Sequence, residues 1–196
     1  MKVVLIGDSI RKGYQPLVTR KLADKADVWG PAENCRHSLW ALDHFQQWVA
    51  DQKPDIVHVN FGIHDCVVME DGQFQILLEQ YCLCLRRFIA RTRQIGARMV
   101  WATTTPRYVP QDGRPMSEWP KMHEIDKYNA AALKIVQEAA LSVNDLHQVI
   151  LDNDYTRCIT EDGCHMSALG NEVLSDAVAK ALVREMGKVG AVPKSQ

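Results

Sequence analysis

No window of the 196-residue chain approaches the ~20 consecutive apolar residues that a membrane-spanning helix needs. The opening segment, MKVVLIGDSI, breaks its apolar run at Gly7-Asp8, too early for the core of a secretion signal, so it reads as a first strand. Neither sign of charge dominates: 23 Lys and Arg against 24 Asp and Glu leave a formal net charge of -1. The basic face that a nucleic-acid partner demands is therefore lacking. With 46% hydrophobic and 24% charged residues, the composition also excludes a disordered or fibrous chain. These absences predict a cytoplasmic globular protein with no nucleic-acid or membrane partner. The length favours one domain, expected over residues 1–187, with a flexible tail over 188–196.

There is no CxxC pair among the six cysteines, Cys35, Cys66, Cys82, Cys84, Cys158 and Cys164. An even count suggests a disulfide framework only in short secreted chains. Cys82 and Cys84 fall two apart on an expected helix, where they cannot face each other. Free, mostly buried thiols are the expectation.

The hydrophobic pattern alternates short apolar runs with helical stripes. Strands are expected at Lys2–Ile6, Ala26–Trp29, Asp55–Phe61, Arg98–Ala102 and Ser142–Leu146. Helices are expected at Tyr14–Lys25, Ser38–Ala50, Gln73–Gln94 (ended by Gly96), Glu124–Ala140 and Ser167–Met186, the last capped by Ser167. Such βα units point to a parallel sheet covered on both faces. The polar stretch from Arg107 to Lys121, with Tyr108 and Trp119, is long enough to suggest a functional loop.

Several chemistries lack their signatures. No GxGxxG follows the first strand, Gly13 is followed by Tyr14 rather than by Lys and a hydroxyl residue, and HExxH does not occur. The nucleophile elbow GxSxG fails because position 11 is Arg. Neither His64-Asp65-Cys66 nor Cys158 with Cys164 and His165 has a zinc-finger spacing, so no metal is expected.

What is present sits where α/β sheets collect ligands, beyond the carboxyl ends of the strands. Gly7-Asp8-Ser9 follows the first strand, Glu33-Asn34-Cys35-Arg36 the second, Gly62-Ile63-His64-Asp65 the third and Thr103–Pro106 the fourth. Ser9 can serve as a helix N-cap or as a nucleophile. Asp162 and His165, three apart before the final helix, can pair so that the carboxylate accepts Nδ1–H and leaves Nε2 to take a proton from Ser9. His37, His44, His58, His123 and His147 read as surface or satisfied core residues.

The combination of Gly7-Asp8-Ser9 with Asp162 to His165 resembles the SGNH (GDSL-type) hydrolase family. Between these lie the Asn34-Cys35-Arg36 region, Gly62 to Asp65, and Val143 to Leu146, which looks like the family's last strand and following loop. The resemblance implies a three-layer α/β/α, flavodoxin-like parallel sheet of about five strands. It also implies a catalytic triad of Ser9, Asp162 and His165, with oxyanion donors from the N–H groups of Ser9 and Cys35 and from residue 64. Two departures stand out. Cys35 occupies the place expected for the family's second-block Gly, and His64 replaces the Asn of GxND. A backbone donor needs no particular side chain, and a histidine ring can donate one N–H, although it can equally plug the strand mouth.

The implied activity is two-step acyl transfer without metal or organic cofactor. The substrate leaning is a small, acetyl-like ester on a carbohydrate or other polar alcohol, because Arg36, Arg107 and Trp119 would make a polar rim. The alternatives are a thioesterase or lysophospholipase of the same fold, or a non-catalytic binding module with a degenerate oxyanion hole.

Overall fold

The computed structural model describes residues 1–107 and 122–188. Most of the Arg107–Lys121 stretch, with Tyr108 and Trp119, and the tail beyond 188 lie outside the described residues. Five strands form one sheet: β1 (Lys2–Gly7), β2 (Asp27–Trp29), β3 (Ile56–Asn60), β4 (Arg98–Ala102) and β5 (Ser142–Asn144). Their spatial order is β2-β1-β3-β4-β5 and every pairing is parallel, with Gly7 opposite Asn60. The order is that of a flavodoxin-like sheet, whose chain reverses its direction of winding between β1 and β3.

The inner strands are apolar on both faces because both are covered. Val3 to Ile6 are fully buried, as are Ile56, Val57, Val59, Val100 and Trp101. On one face α1 (Ser9–Lys21) packs along α8 (Ala168–Gly187), while α4 (Leu78–Gln94) packs against α2 (Ser38–Asp43) and α5 (Met122–Glu138) on the other. The three-layer α/β/α expectation holds. The cysteines are free, and all but Cys82 are buried.

Helix boundaries differ from the periodicity where side-chain chemistry intervenes. α1 starts at Ser9 rather than Tyr14, because the Asp8 carboxylate accepts the Ile10 N–H at 2.8 Å and caps it. The helix expected over Ser38–Ala50 breaks at His44 into α2, α3 (Phe45–Trp48) and a 3₁₀ turn at Ala50–Gln52. α4 begins at Leu78, not Gln73. Asp71-Gly72 turns the chain so that Phe74 pairs with Val68 in an antiparallel bridge and rests on Tyr128. β5 ends at Asn144 because Asp145 caps α6 (Leu146–Leu151), a helix that the sequence reading missed along with α7 (Tyr155–Cys158).

Candidate active site

Strand β1 delivers the nucleophile candidate to the point where the sheet reverses its winding. Gly7 is the last residue of the strand, and a Cβ there would stand 2.7 Å from the Asn60 carbonyl and 2.6 Å from Arg11 Cβ. Only glycine lets α1 start so close to β3. Asp8 caps the helix, and Ser9 occupies its first turn, where N–H groups have no intrahelical acceptors.

The histidine arrives from the loop ahead of α8. An antiparallel bridge between Ile159 and Met166 closes that loop, and the Thr160 N–H donates to the His165 carbonyl at 2.8 Å. Inside it, Asp162 Oδ1 accepts from the Thr160 hydroxyl (2.8 Å) and from the N–H groups of Cys164 (2.8 Å) and His165 (2.9 Å). Oδ2 accepts Nδ1–H of His165 at 2.6 Å. With Nδ1 so engaged, His165 Nε2 accepts from Ser9 Oγ–H, 2.8 Å away. Burial alone would raise the Asp162 carboxyl, but its hydrogen bonds from His165, Cys164 and Thr160 outweigh that and hold it well below the usual carboxylate range. Asp162 therefore stays ionised. The helix cap is a separate residue, Ser167. Two residues 153 and 156 positions from Ser9, Asp162 and His165, thus join it in a line, serine to histidine to carboxylate.

Arg107, buried at the end of β4, donates to the carbonyls of Gly163 (3.2 Å) and Asp162 (3.4 Å), so it braces this loop from beneath. His64 is half-buried beyond β3. Burial, together with the positive charges of His37, His165 and Arg36, lowers its pKa to about 4. Its ring is neutral at pH 7 and so carries a single N–H. Asp65 beside it is fully buried and accepts the Ser38 N–H at 3.0 Å and the Ser38 hydroxyl at 2.5 Å. That pair ties the His64 turn to the start of α2.

The expected Cys35 donor requires correction. Its N–H already donates to the Gly7 carbonyl at 3.2 Å and so is not available to an oxyanion. The left-handed conformation belongs to the next residue, Arg36, at φ 51°, whose N–H donates to Asn34 Oδ1 at 2.8 Å. The loop is held by Arg11, a fully buried residue that sequence reasoning missed. Its guanidinium donates to the carbonyls of Pro31 (2.8 Å), Glu33 (2.8 Å) and Gly7 (3.2 Å) and to Gln15 Oε1 (2.7 Å). A charged residue inside a helical stripe carries no signal that it will be buried.

Cysteine offers no rival nucleophile. Burial raises the thiol pKa of Cys35 and Cys66 and pushes that of Cys164 up to about 12, so all three remain protonated. Among the described residues, no group of three or more His, Cys, Asp or Glu side chains comes together to hold a metal. A cavity of about 780 Å³ lined by Asn144, Asp145, Lys180 and Arg184 lies at the β5 edge and shares no residue with the Ser9 site.

Comparison with known proteins agrees with this geometry. The model of the GDSL-like lipase/acylhydrolase family matches residues 5–173, which include Ser9, His64, Asp162 and His165. A GDSL esterase/lipase of Arabidopsis thaliana is 26% identical over 94% of this chain and 86% of its own. The isoamyl acetate-hydrolyzing esterase 1 homolog of Homo sapiens is 23% identical over 88% of this chain and 77% of its own. The crystal structure of an acetyl xylan esterase, AlAXEase, superposes with a TM-score of 0.77 at 19% identity, covering 93% of this chain and all of that one. The protein belongs to the GDSL-like lipase/acylhydrolase family and is a carboxylic ester hydrolase.

Proposed function

We propose that the protein is a serine esterase that removes a small, acetyl-like acyl group from a carbohydrate or another polar alcohol. The observation that carries this reading is the hydrogen-bonded line from Ser9 Oγ through His165 to Asp162, at 2.8 and 2.6 Å. His165 Nε2 takes the Ser9 proton as Oγ attacks the ester carbonyl. The tetrahedral adduct collapses as the imidazolium returns the proton to the departing alcohol, leaving an acyl-Ser9 ester. A water deprotonated by the same histidine then releases the acid and restores Ser9. Asp162, ionised throughout, holds the tautomer and stabilises the imidazolium. The Ser9 N–H and the neutral His64 ring are the oxyanion donors in this scheme.

Two things support a short acyl group. The human relative and the superposed structure are named for acetyl esters. The exposed Arg36 also acts electrostatically on His64, which places a charged residue near the mouth of the site. A long chain left in water forgoes about 0.8 kcal/mol for each unburied CH₂. Catalytic efficiency on p-nitrophenyl esters should therefore fall from acetyl to octanoyl. A steady rise would favour a thioesterase or lysophospholipase. The free thiols fit a reducing compartment, and we place the enzyme in the cytoplasm.

A further inference from the structure

Arg36 stands in a conformation that an arginine adopts only at a cost. At φ 51° its Cβ crowds the following carbonyl, a penalty on the order of 1 kcal/mol that glycine does not carry. Asn34 Oδ1 holds the turn through the Arg36 N–H, and the Cys35 N–H bond to Gly7 pins the preceding residue to the end of β1, two residues before Ser9. A strained position beside a reacting group suggests a side chain with a task.

The side chain is also held in place. Its guanidinium lies over the Trp40 ring, 4.9 Å from the centroid. Trp40 lies tilted by 41° against His44 with ring centroids 4.2 Å apart, and His44 stacks on Trp48 at 4.4 Å, so the column is rooted in a residue only 2% exposed. The cation–π contact restrains the guanidinium while the residue stays exposed, so its N–H donors remain open to a ligand.

No side-chain hydrogen bond or ion pair of Arg36 occurs among the described residues. The carboxylates close to the site are engaged elsewhere: Asp8 caps α1, Asp65 binds Ser38, and Asp162 binds His165. Among the described residues, Arg36 thus presents a restrained, exposed guanidinium fork on the loop that Cys35 ties to the end of β1, with no carboxylate paired to it. The ligand whose geometry matches such a fork in two parallel hydrogen bonds is a carboxylate.

We propose that Arg36 is a specificity-determining residue that receives a carboxylate of the substrate, so that the preferred esters are acylated alcohols bearing an acid, such as acetylated acidic sugars. The inference rests on the esterase reading above and narrows its alcohol. Its test pairs acetylated glucuronic acid with the methyl ester of the same compound, which removes the charge and adds one methyl group, with released acetate as the readout. The wild-type protein should prefer the acid by about 10- to 100-fold in kcat/KM, expressed mainly in KM, because the contact is remote from the reacting carbonyl. Arg36→Gly relieves the backbone strain and should bring that ratio close to one, whereas Arg36→Lys should keep part of it. A wild-type ratio of one or less, or a ratio that survives Arg36→Gly, overturns the proposal. If neither ester is hydrolysed, the acetyl-sugar reading fails separately. Equilibrium binding of glucuronate and methyl glucuronate then decides the role of Arg36: preferential, Arg36-dependent binding of the acid supports it, and equal binding overturns it.

Discussion

His165 is fixed from two sides, by a carboxylate at Nδ1 and a hydroxyl at Nε2, and the chemistry depends on neither bond being interchangeable. Asp162→Asn offers an amide where the ring needs an acceptor, and in serine proteases the equivalent change lowers kcat on the order of 10⁴-fold. A loss of that scale in protein still folded at the assay temperature is the expected outcome, with a lowered unfolding midpoint because the ionised carboxylate also contributes stability. Near-normal turnover would reduce Asp162 to a loop-closing residue. His64→Ala should lower kcat roughly 10²- to 10³-fold with KM little changed, as removal of one oxyanion donor does, and His64→Asn should recover part of the loss. Wild-type kinetics in His64→Ala would leave the ring as a plug. Asp162 and His165 were legible as a pair because they lie three residues apart, whereas Ser9, 156 residues from His165, was joined to them through the family resemblance. The second-block donor expected at Cys35 fails because its N–H is taken by the Gly7 carbonyl. Whether Cys35 or Arg36 takes the left-handed turn depends on the Asn34 side chain and the Gly7 carbonyl, which no residue pattern displays.

Among the elements, α1 and the turn after β3 carry the geometry of the site. Arg11 sits one turn along α1 from Asp8 and sends its guanidinium across to the loop after β2, so the nucleophile and that loop move as one body. Arg11→Met would leave the buried Pro31 carbonyl and the part-buried Glu33 carbonyl without their donor, a loss of about 2–3 kcal/mol. Urea unfolding should register that loss, and a stability equal to wild type would mean the loop holds itself. Gly62, at φ 143°, lies in a region essentially restricted to glycine, and a Cβ there would stand 2.3 Å from Thr104 Oγ1. Gly62→Ala should therefore destabilise by about 2 kcal/mol or more. An unchanged midpoint would show that the turn accommodates a methyl group. Strands and long helices were readable from periodicity because each buries a regular face. The first turn of α1, the break at His44 and the late start of α4 were not, because a cap, a ring stack and an Asp-Gly turn decide them locally.

Across the whole molecule, the sheet order β2-β1-β3-β4-β5 places the loops after β1, β2 and β3 around one crevice, and the loop before α8 completes it. No helix among the described residues is long and apolar enough to cross a membrane. Assembling the site in this crevice buries two carboxylates: burial raises Asp8 from 3.8 to about 6 and Asp65 from 3.8 to about 7. Between those limits the folded chain holds more protons than the unfolded one, so both groups make stability fall as pH rises from about 4 to about 7. Asp162 acts oppositely, losing its contribution only as pH drops below the ordinary carboxylate range. Urea midpoints at pH 4.5 and 7.5 should decline less in Asp65→Asn than in the wild type, and equal declines would remove Asp65 as a source. The central claim is that Ser9 is the activated nucleophile, and reaction with a fluorophosphonate ester followed by mass spectrometry tests it most directly. The account predicts one stoichiometric adduct, mapped to Ser9 and absent from a folded Ser9→Ala protein. An adduct that persists in Ser9→Ala, or a wild-type protein that forms none, would contradict it.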